Sequence, residues 1–304
     1  MKGVLLVNLG TPAAPTPAAV RAYLAEFLGD PRVVALPRWI WLPLLHAFVL
    51  RTRPRKSAQK YAAIWTPQGS PLAVHTRLQA NLLGKILSER SIRVAWGMRY
   101  GSPSIADGLK QLTGCEVTVV PLYPQFSVST TESVRDVLPP GTKMIEQFHD
   151  HPAYIAALAA VVRRHWQAHS KAKLVMSFHG LPQRAVDLGD PYQKQCVATA
   201  KILAGVLKLA PADYRVAFQS RFGAAKWLQP YTAPTLAELA KKGEPRVDVF
   251  CPGFVSDCLE TLEEIGIEGR KVFMDAGGKE FHLLPCLNEA PEWIAALGAI
   301  ADQI

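Results

Sequence analysis

Eight short strand-like runs, separated by helix-like stretches, constrain this chain more than any other feature. The first, Gly3-Val4-Leu5-Leu6-Val7-Asn8-Leu9, is almost wholly apolar and stops at Gly10-Thr11-Pro12. A strand covered on both faces reads this way, because neither face has to meet water. Further runs fall at residues 93–100, 116–122 and 143–148, then at 173–178, 214–219, 246–251 and 281–285. Helical patterns lie at 17–28, 153–169, 192–209, 234–242 and 257–265. Strands alternating with helices predict parallel sheets with helices on both faces. The fold class expected is therefore α/β, with two similar domains of four parallel strands each. The boundary is placed at 149–151, giving domains 1–149 and 150–304. The last helix, about 290–304, is expected to pack back on the first domain. A long insertion, about 30–75, interrupts the first.

A length of 304 residues agrees with two domains, and 49% hydrophobic residues supply material for two cores. The formal net charge is +9, which suits an anionic partner without naming one. No nucleic-acid-binding signature accompanies it, so no nucleic acid is expected. Five cysteines, an odd number with no C-x-x-C pair, point to a reducing compartment without a disulfide framework. Met1 to Leu9 runs straight into a strand pattern rather than a signal peptide, so a cytoplasmic location is expected. Neither G-x-G-x-x-G nor a P-loop is present, which removes the usual dinucleotide and ATP sites.

Residues 36–50 read LPRWIWLPLLHAFVL. A spanning helix needs about 20 predominantly apolar residues, and this stretch is shorter and broken by Pro37 and Pro43. It is either buried under the first domain or an exposed lip that meets a membrane interface or an apolar ligand. Trp39 and Trp41 suit the interface. The basic run Arg51-Thr52-Arg53-Pro54-Arg55-Lys56 that follows could pair with lipid headgroups or with carboxylates.

In parallel α/β sheets, ligands bind at the carboxyl ends of the strands. His179-Gly180-Leu181-Pro182 stands at one such end. Cys251-Pro252-Gly253 stands at another and leads into Ser256-Asp257-Cys258-Leu259-Glu260-Thr261-Leu262-Glu263-Glu264. If 257–265 is α-helical, Asp257, Glu260 and Glu264 share one face at i, i+3 and i+7. The plain reading is a solvated acidic face near a helix N-terminus, with His179 a structural hydrogen-bonder. The chemical reading sets a histidine opposite a carboxylate stripe. That suits capture of a first-row metal or removal of a proton from a buried substrate. These residues alone leave metallohydrolase, isomerase and metal-insertion chemistry open.

The chain also resembles a known family. Leu5-Leu6-Val7-Asn8-Leu9-Gly10-Thr11-Pro12, Gly69-Ser70-Pro71-Leu72, Gly97-Met98-Arg99-Tyr100, Pro121-Leu122-Tyr123-Pro124-Gln125-Phe126, Ser177-Phe178-His179-Gly180-Leu181-Pro182, Gln219-Ser220-Arg221-Phe222-Gly223 with Trp227, and 251–262 are similar to motifs of the ferrochelatases, in the same order. The resemblance implies two flavodoxin-like (Rossmann-like) domains with an active-site cleft between them. It implies insertion of Fe²⁺ into protoporphyrin IX at the end of heme synthesis. It makes His179 and Glu260 the catalytic, metal-handling pair, with Asp257 and Glu264 as the acidic relay. Leu9, Arg99, Tyr123 and Trp227 would line the porphyrin pocket, and Arg53, Lys56, Tyr61 and Ser70 would lie near the propionates. It identifies residues 36–50 with an apolar lip, and so implies peripheral contact with the inner face of the cytoplasmic membrane. Fe²⁺ is a substrate in this picture, and no permanently bound cofactor is expected. Val128 replaces one cysteine of the iron–sulfur cluster that some members carry, and no cluster is expected. Many members have histidine where this chain has Cys258, whose role the sequence leaves open. A chelatase for another tetrapyrrole or metal (coproporphyrin or cobalt), and a non-catalytic porphyrin or heme carrier, remain as alternatives.

Overall fold

Both sheets place the earliest strand of their half in the interior. The computed structural model describes residues 1–302. Its first compact unit comprises Met1–Tyr123, Ser127–Gln147 and, of the described residues at the end, Ala301 and Asp302; its second comprises Pro124–Phe126 and Phe148–Ile300. The first sheet is built from β1 (Lys2–Gly10), β2 (Ile92–Tyr100), β3 (Glu116–Pro121) and β4 (Lys143–Met144), in the order β2-β1-β3-β4. The second uses β5 (Lys173–His179), β6 (Tyr214–Gln219), β7 (Arg246–Phe250) and β8 (Glu280–Leu283), in the order β6-β5-β7-β8. All pairings are parallel. The two-fold α/β reading of the alternation is what the chain adopts.

Central position explains the composition of β1. It is paired on both edges and helices cover its faces, so Leu5, Leu6 and Val7 are fully buried. β1 leaves the sheet through Gly10, whose φ is +119°; a Cβ there would collide with the Tyr100 carbonyl oxygen. No other residue fits that bend. β4 pairs over two residues only, against the six expected, and ends before Glu146 and Gln147. The first core gathers Leu5, Val7, Ala95, Ile105, Val119 and Val134. The second gathers Val175, Ala217, Val247, Val249, Phe273 and Phe281 around β5 and β7. The last helix, Pro291–Ala301, lies almost wholly within the second unit, where Trp293 meets Phe148 and Tyr154 at ring distances of 5.9 and 6.0 Å.

The insertion is helical. Arg38–Leu44 is α-helical, Leu45–Val49 is π-helical and Leu50–Ile64 is α-helical again. Pro43 and Pro54 sit inside the helices. Leu45 and Leu50 are buried, while Leu36, Ile40, Leu44 and Phe48, spaced by four, stay exposed together with Trp39 at 78%. Trp41 turns the other way, and its Nε1 donates to the Leu28 carbonyl at 2.6 Å. Full burial of residues 36–50 under the first unit is therefore not what is observed. No helix among the described residues is long and apolar enough to cross a membrane.

The acidic segment departs most from expectation. Instead of an α-helix over 257–265, a π-helix runs from Leu259 to Gly269. Its i→i+5 bonding widens each turn, and Arg270 N–H accordingly reaches the Ile265 carbonyl. Asp257 precedes this helix altogether, so the three-carboxylate face does not form.

Candidate active site

β5 carries His179 to the carboxyl end of the second sheet because the five residues before it, Leu174 to Phe178, are fully buried and fix its register. His179 itself is half-buried and lies opposite Gln219 of β6. Its Nδ1 faces the Gly180 carbonyl oxygen at 2.6 Å. A carbonyl only accepts, so Nδ1 carries a hydrogen, and in the neutral ring Nε2 is the nitrogen with the lone pair. Gly180 follows because a Cβ there would stand 2.7 Å from the Gln219 carbonyl oxygen and 3.3 Å from the Trp227 ring. Its absence lets Trp227 close over the strand end, where Trp227 bridges to Pro182. The Phe254 ring lies 6.4 Å from the His179 ring.

Gln219, buried at the end of β6, ties this strand end to the acidic helix. Ser177 Oγ donates to its Oε1 at 2.7 Å, and its Nε2 donates to the Glu260 carbonyl at 2.6 Å and to Glu264 Oε2 at 3.3 Å. Ser220, with φ +65°, donates both its N–H and its Oγ to Glu264, at 2.6 and 2.5 Å. Glu264 thus accepts three hydrogen bonds and fastens the π-helix to β6. Glu260, half-buried one turn earlier, forms no ion pair among the described residues. The sequence named Glu260 and Glu264 but gave Gln219 no role. Its signal was a polar side chain closing an apolar strand, inside the Gln-Ser-Arg-Phe-Gly motif.

Asp257 belongs to a separate network. It accepts from Thr261 Oγ1 at 2.9 Å and from Asn288 Nδ2 at 2.7 Å, and its own N–H donates to Asn288 Oδ1 at 2.9 Å. These bonds pin the loop that enters the helix, which is a structural task. Cys258 acquires a role as well. It is the N-cap of the π-helix, in a reciprocal pair with Thr261, whose Oγ1 accepts from the Cys258 N–H at 3.0 Å. Burial, with the Glu260 carboxylate adding to it, pushes its thiol well above the ordinary cysteine range. A protonated buried thiol is a poor metal ligand.

The remaining predicted residues lie on the first unit. Leu9 is half-buried at the end of β1, and its N–H donates to Asn8 Oδ1. Ser70, buried before the helix Pro71–Ser88, accepts from Thr11 Oγ1 at 2.8 Å. Arg99 is engaged internally. Its Nε donates to the Ser133 carbonyl at 2.6 Å and its Nη2 meets Asp30 Oδ2 at 2.5 Å, which also accepts from Tyr100 Oη at 2.8 Å. The sequence reading missed Asp30 as the partner of this arginine. Tyr123 has an enclosed hydroxyl without a partner among the described residues, and burial raises its pKa well above the ordinary tyrosine value. Arg53, Lys56 and Tyr61 share the helix Leu50–Ile64; Lys56 is exposed, Tyr61 buried and Arg53 half-buried. Burial lowers the Arg53 pKa.

Comparison with known proteins places these motifs in one family. Residues 1–303 match the family model described as Ferrochelatase. A protein named Ferrochelatase from Azoarcus sp. (strain BH72) is 57% identical over 309 residues, covering 97% of this chain and 85% of its own. One from Aromatoleum aromaticum is 57% identical with the same coverage, and one from Polaromonas sp. (strain JS666) is 54% identical over 99% of this chain and 86% of its own. Among solved structures, CbiX, the terminal enzyme for siroheme biosynthesis in denitrifying bacteria, aligns with a TM-score of 0.55 at 15% identity, over 99% of both chains. SirB from Bacillus subtilis with Fe³⁺ aligns with a TM-score of 0.55 at 14% identity, over 100% of this chain and 95% of that one. At such identities these two show a shared fold. With the family model covering nearly every residue and relatives above half identity, the chain belongs to the ferrochelatase family.

Proposed function

We propose that this chain inserts Fe²⁺ into protoporphyrin IX to give protoheme, releasing two protons. The observation that carries the proposal is the coupling of two strand ends to one acidic helix: His179 on β5, Gln219 on β6 and Glu260 with Glu264 on the π-helix. Fe²⁺ binds the porphyrin only after two pyrrole N–H protons have left. The Nε2 lone pair of His179 is the base placed to take one, since the Gly180 carbonyl holds the hydrogen on Nδ1. Glu260 is the next acceptor and passes the proton outward. Glu264, with its oxygens held by Ser220 and Gln219, positions the helix that presents Glu260.

Trp227 and Phe254 give the strand end an apolar, aromatic surroundings suited to a flat macrocycle. On the first unit, Arg53, with Lys56, Tyr61 and Ser70, answers carboxylates. A half-buried guanidinium whose charge is disfavoured by burial gains from a propionate partner. Leu9 and Tyr123 contribute apolar surface, while Arg99 acts through its ion pair with Asp30 as a support. The exposed row Leu36, Trp39, Ile40, Leu44 and Phe48 rests on the cytoplasmic membrane surface. No permanently bound cofactor or iron–sulfur cluster takes part.

The test is an anaerobic absorbance assay with protoporphyrin IX and Fe²⁺, or Zn²⁺ as a redox-silent substitute. The free-porphyrin spectrum should convert catalytically to that of the metalloporphyrin. His179→Ala and Glu260→Gln should bind porphyrin and lose nearly all turnover. Full turnover in either variant removes that residue from the mechanism, and binding without turnover in the native chain makes it a carrier.

A further inference from the structure

A second cluster of metal-ligating side chains lies at the other end of the second sheet. His165, in the last turn of the helix Pro152–Ala168, and His169, its C-cap, are four residues apart on one helix face. His282 in β8 stands opposite Asp248 in β7. One ligand nitrogen from each of the three histidines lies within 4.8 Å of the others. Asp248 pairs with Leu174 at the start of β5. His179 is five steps further along β5 than Leu174, so the cluster stands about 16 Å along the strand from the proposed chelation residues.

Three of its atoms converge. His165 Nε2 is 3.1 Å from Asp248 Oδ1, His282 Nδ1 is 3.2 Å from His165 Nε2, and His282 Nδ1 is 3.6 Å from Asp248 Oδ1. Ligands at about 2.0–2.1 Å from a tetrahedral ion are about 3.3 Å apart, which is the spacing these atoms already have. The outer bonds agree. His282 Nε2 lies 2.9 Å from Glu280 Oε1; a carboxylate there holds the hydrogen on Nε2 and leaves the Nδ1 lone pair pointing inward, the usual way a ligating imidazole is oriented. Trp166 Nε1 donates to Asp248 Oδ2 at 2.7 Å and fixes that fully buried carboxylate. His169, exposed and with its ring 4.6 Å from that of His282, completes the set from the solvent side. Arg246 Nη2 also reaches Asp248 Oδ1, at 3.2 Å. That competing positive charge disfavours a hard, carboxylate-seeking cation such as Mg²⁺ or Ca²⁺ and leaves imidazole as the main attraction.

We propose that His165, His169 and His282, with Asp248, bind a first-row divalent cation of the Zn²⁺ or Fe²⁺ class at a site separate from the chelation residues. The test uses Zn²⁺ as the probe. The full chain carrying His179→Ala and Glu260→Gln, which removes the proposed chelation pair, is stripped with a chelator and dialysed against Zn²⁺. One tightly held ion per chain is expected. Adding His169→Ala, at an exposed position where the circular dichroism spectrum should not change, should weaken binding at least tenfold. His282→Gln should do the same. In the otherwise native chain, His169→Ala should leave porphyrin metallation unchanged. Absence of a stoichiometric ion in the stripped parent, or unchanged affinity after His169→Ala, overturns the site.

Discussion

Replacing Gln219 by alanine tests the coupling on which the proposed chemistry rests. The side chain is 4% exposed. Its amide receives Ser177 Oγ, and donates to the Glu260 carbonyl and, at a longer 3.3 Å, to the Glu264 carboxylate. A neutral hydrogen bond contributes about 1 kcal/mol and one to a charged group about 1.5 kcal/mol or more, with a further penalty for partners left unpaired. The expected loss is about 3 to 4 kcal/mol. For a unit of this size, that lowers Tm by about 10 °C. The activity effect should be specific. Ser220 still holds Glu264, so the π-helix stays docked, while the Glu260 turn loses its tether. Metallation assays should show kcat reduced by about tenfold or more, equivalent to at least 1.4 kcal/mol of misplacement, with KM for porphyrin changed less than twofold. Calorimetry and steady-state kinetics on one preparation measure both. A variant that melts within about 2 °C of the native protein and keeps full kcat would refute the view that Gln219 joins the strand ends to the helix.

Further outcomes follow from other contacts. Asp30→Asn breaks a buried pair whose side chains are 13% and 6% exposed and should cost about 3 kcal/mol, read by urea denaturation. Gly10→Ala forces a Cβ into the Tyr100 carbonyl oxygen at a φ of +119°; soluble expression should collapse, and a normal yield would contradict the geometry. Burial raises the thiol pKa values of Cys196, Cys251, Cys258 and Cys286 well above the usual value, so raising the pH to about 8.5, the ordinary thiol value, should not make them reactive. Maleimide labelling of the native chain, followed by mass spectrometry, should then mark only Cys115, and all five after unfolding. The double change Trp39→Ser and Phe48→Ser alters residues that are 78% and 65% exposed. It should leave Tm unchanged and lower recovery with anionic liposomes several-fold; unchanged recovery removes the membrane role.

The sequence by itself determined the architecture to the level of two parallel α/β halves. Strands such as Val4–Val7 and Leu174–Phe178 are buried on both faces, and burial of that kind writes a continuous apolar run that no neighbour alters. It also put forward His179, a polar side chain at the end of an apolar run, and Glu260, in the acidic stretch that follows another strand, because both are local signals. What sequence could not supply is anything set by contacts between distant residues. The order β2-β1-β3-β4, repeated as β6-β5-β7-β8, depends on which edges pair, and apolar runs are interchangeable in that respect. The α-helical reading of 257–265 failed because helical spacing does not announce an i→i+5 pattern. Asp257 was therefore assigned to a face it does not share and is held instead by Asn288. The resemblance set Arg99 in the porphyrin pocket, and nothing local in the sequence pointed to Asp30, 69 residues away, as its partner. Likewise, His165, His169 and His282 carry no motif; they meet only because β8 lies beside β7 and the helix Pro152–Ala168 ends against Asp248. Local chemistry is written in the order of residues, whereas partnership between remote groups arises only when the sheet closes the distance between them.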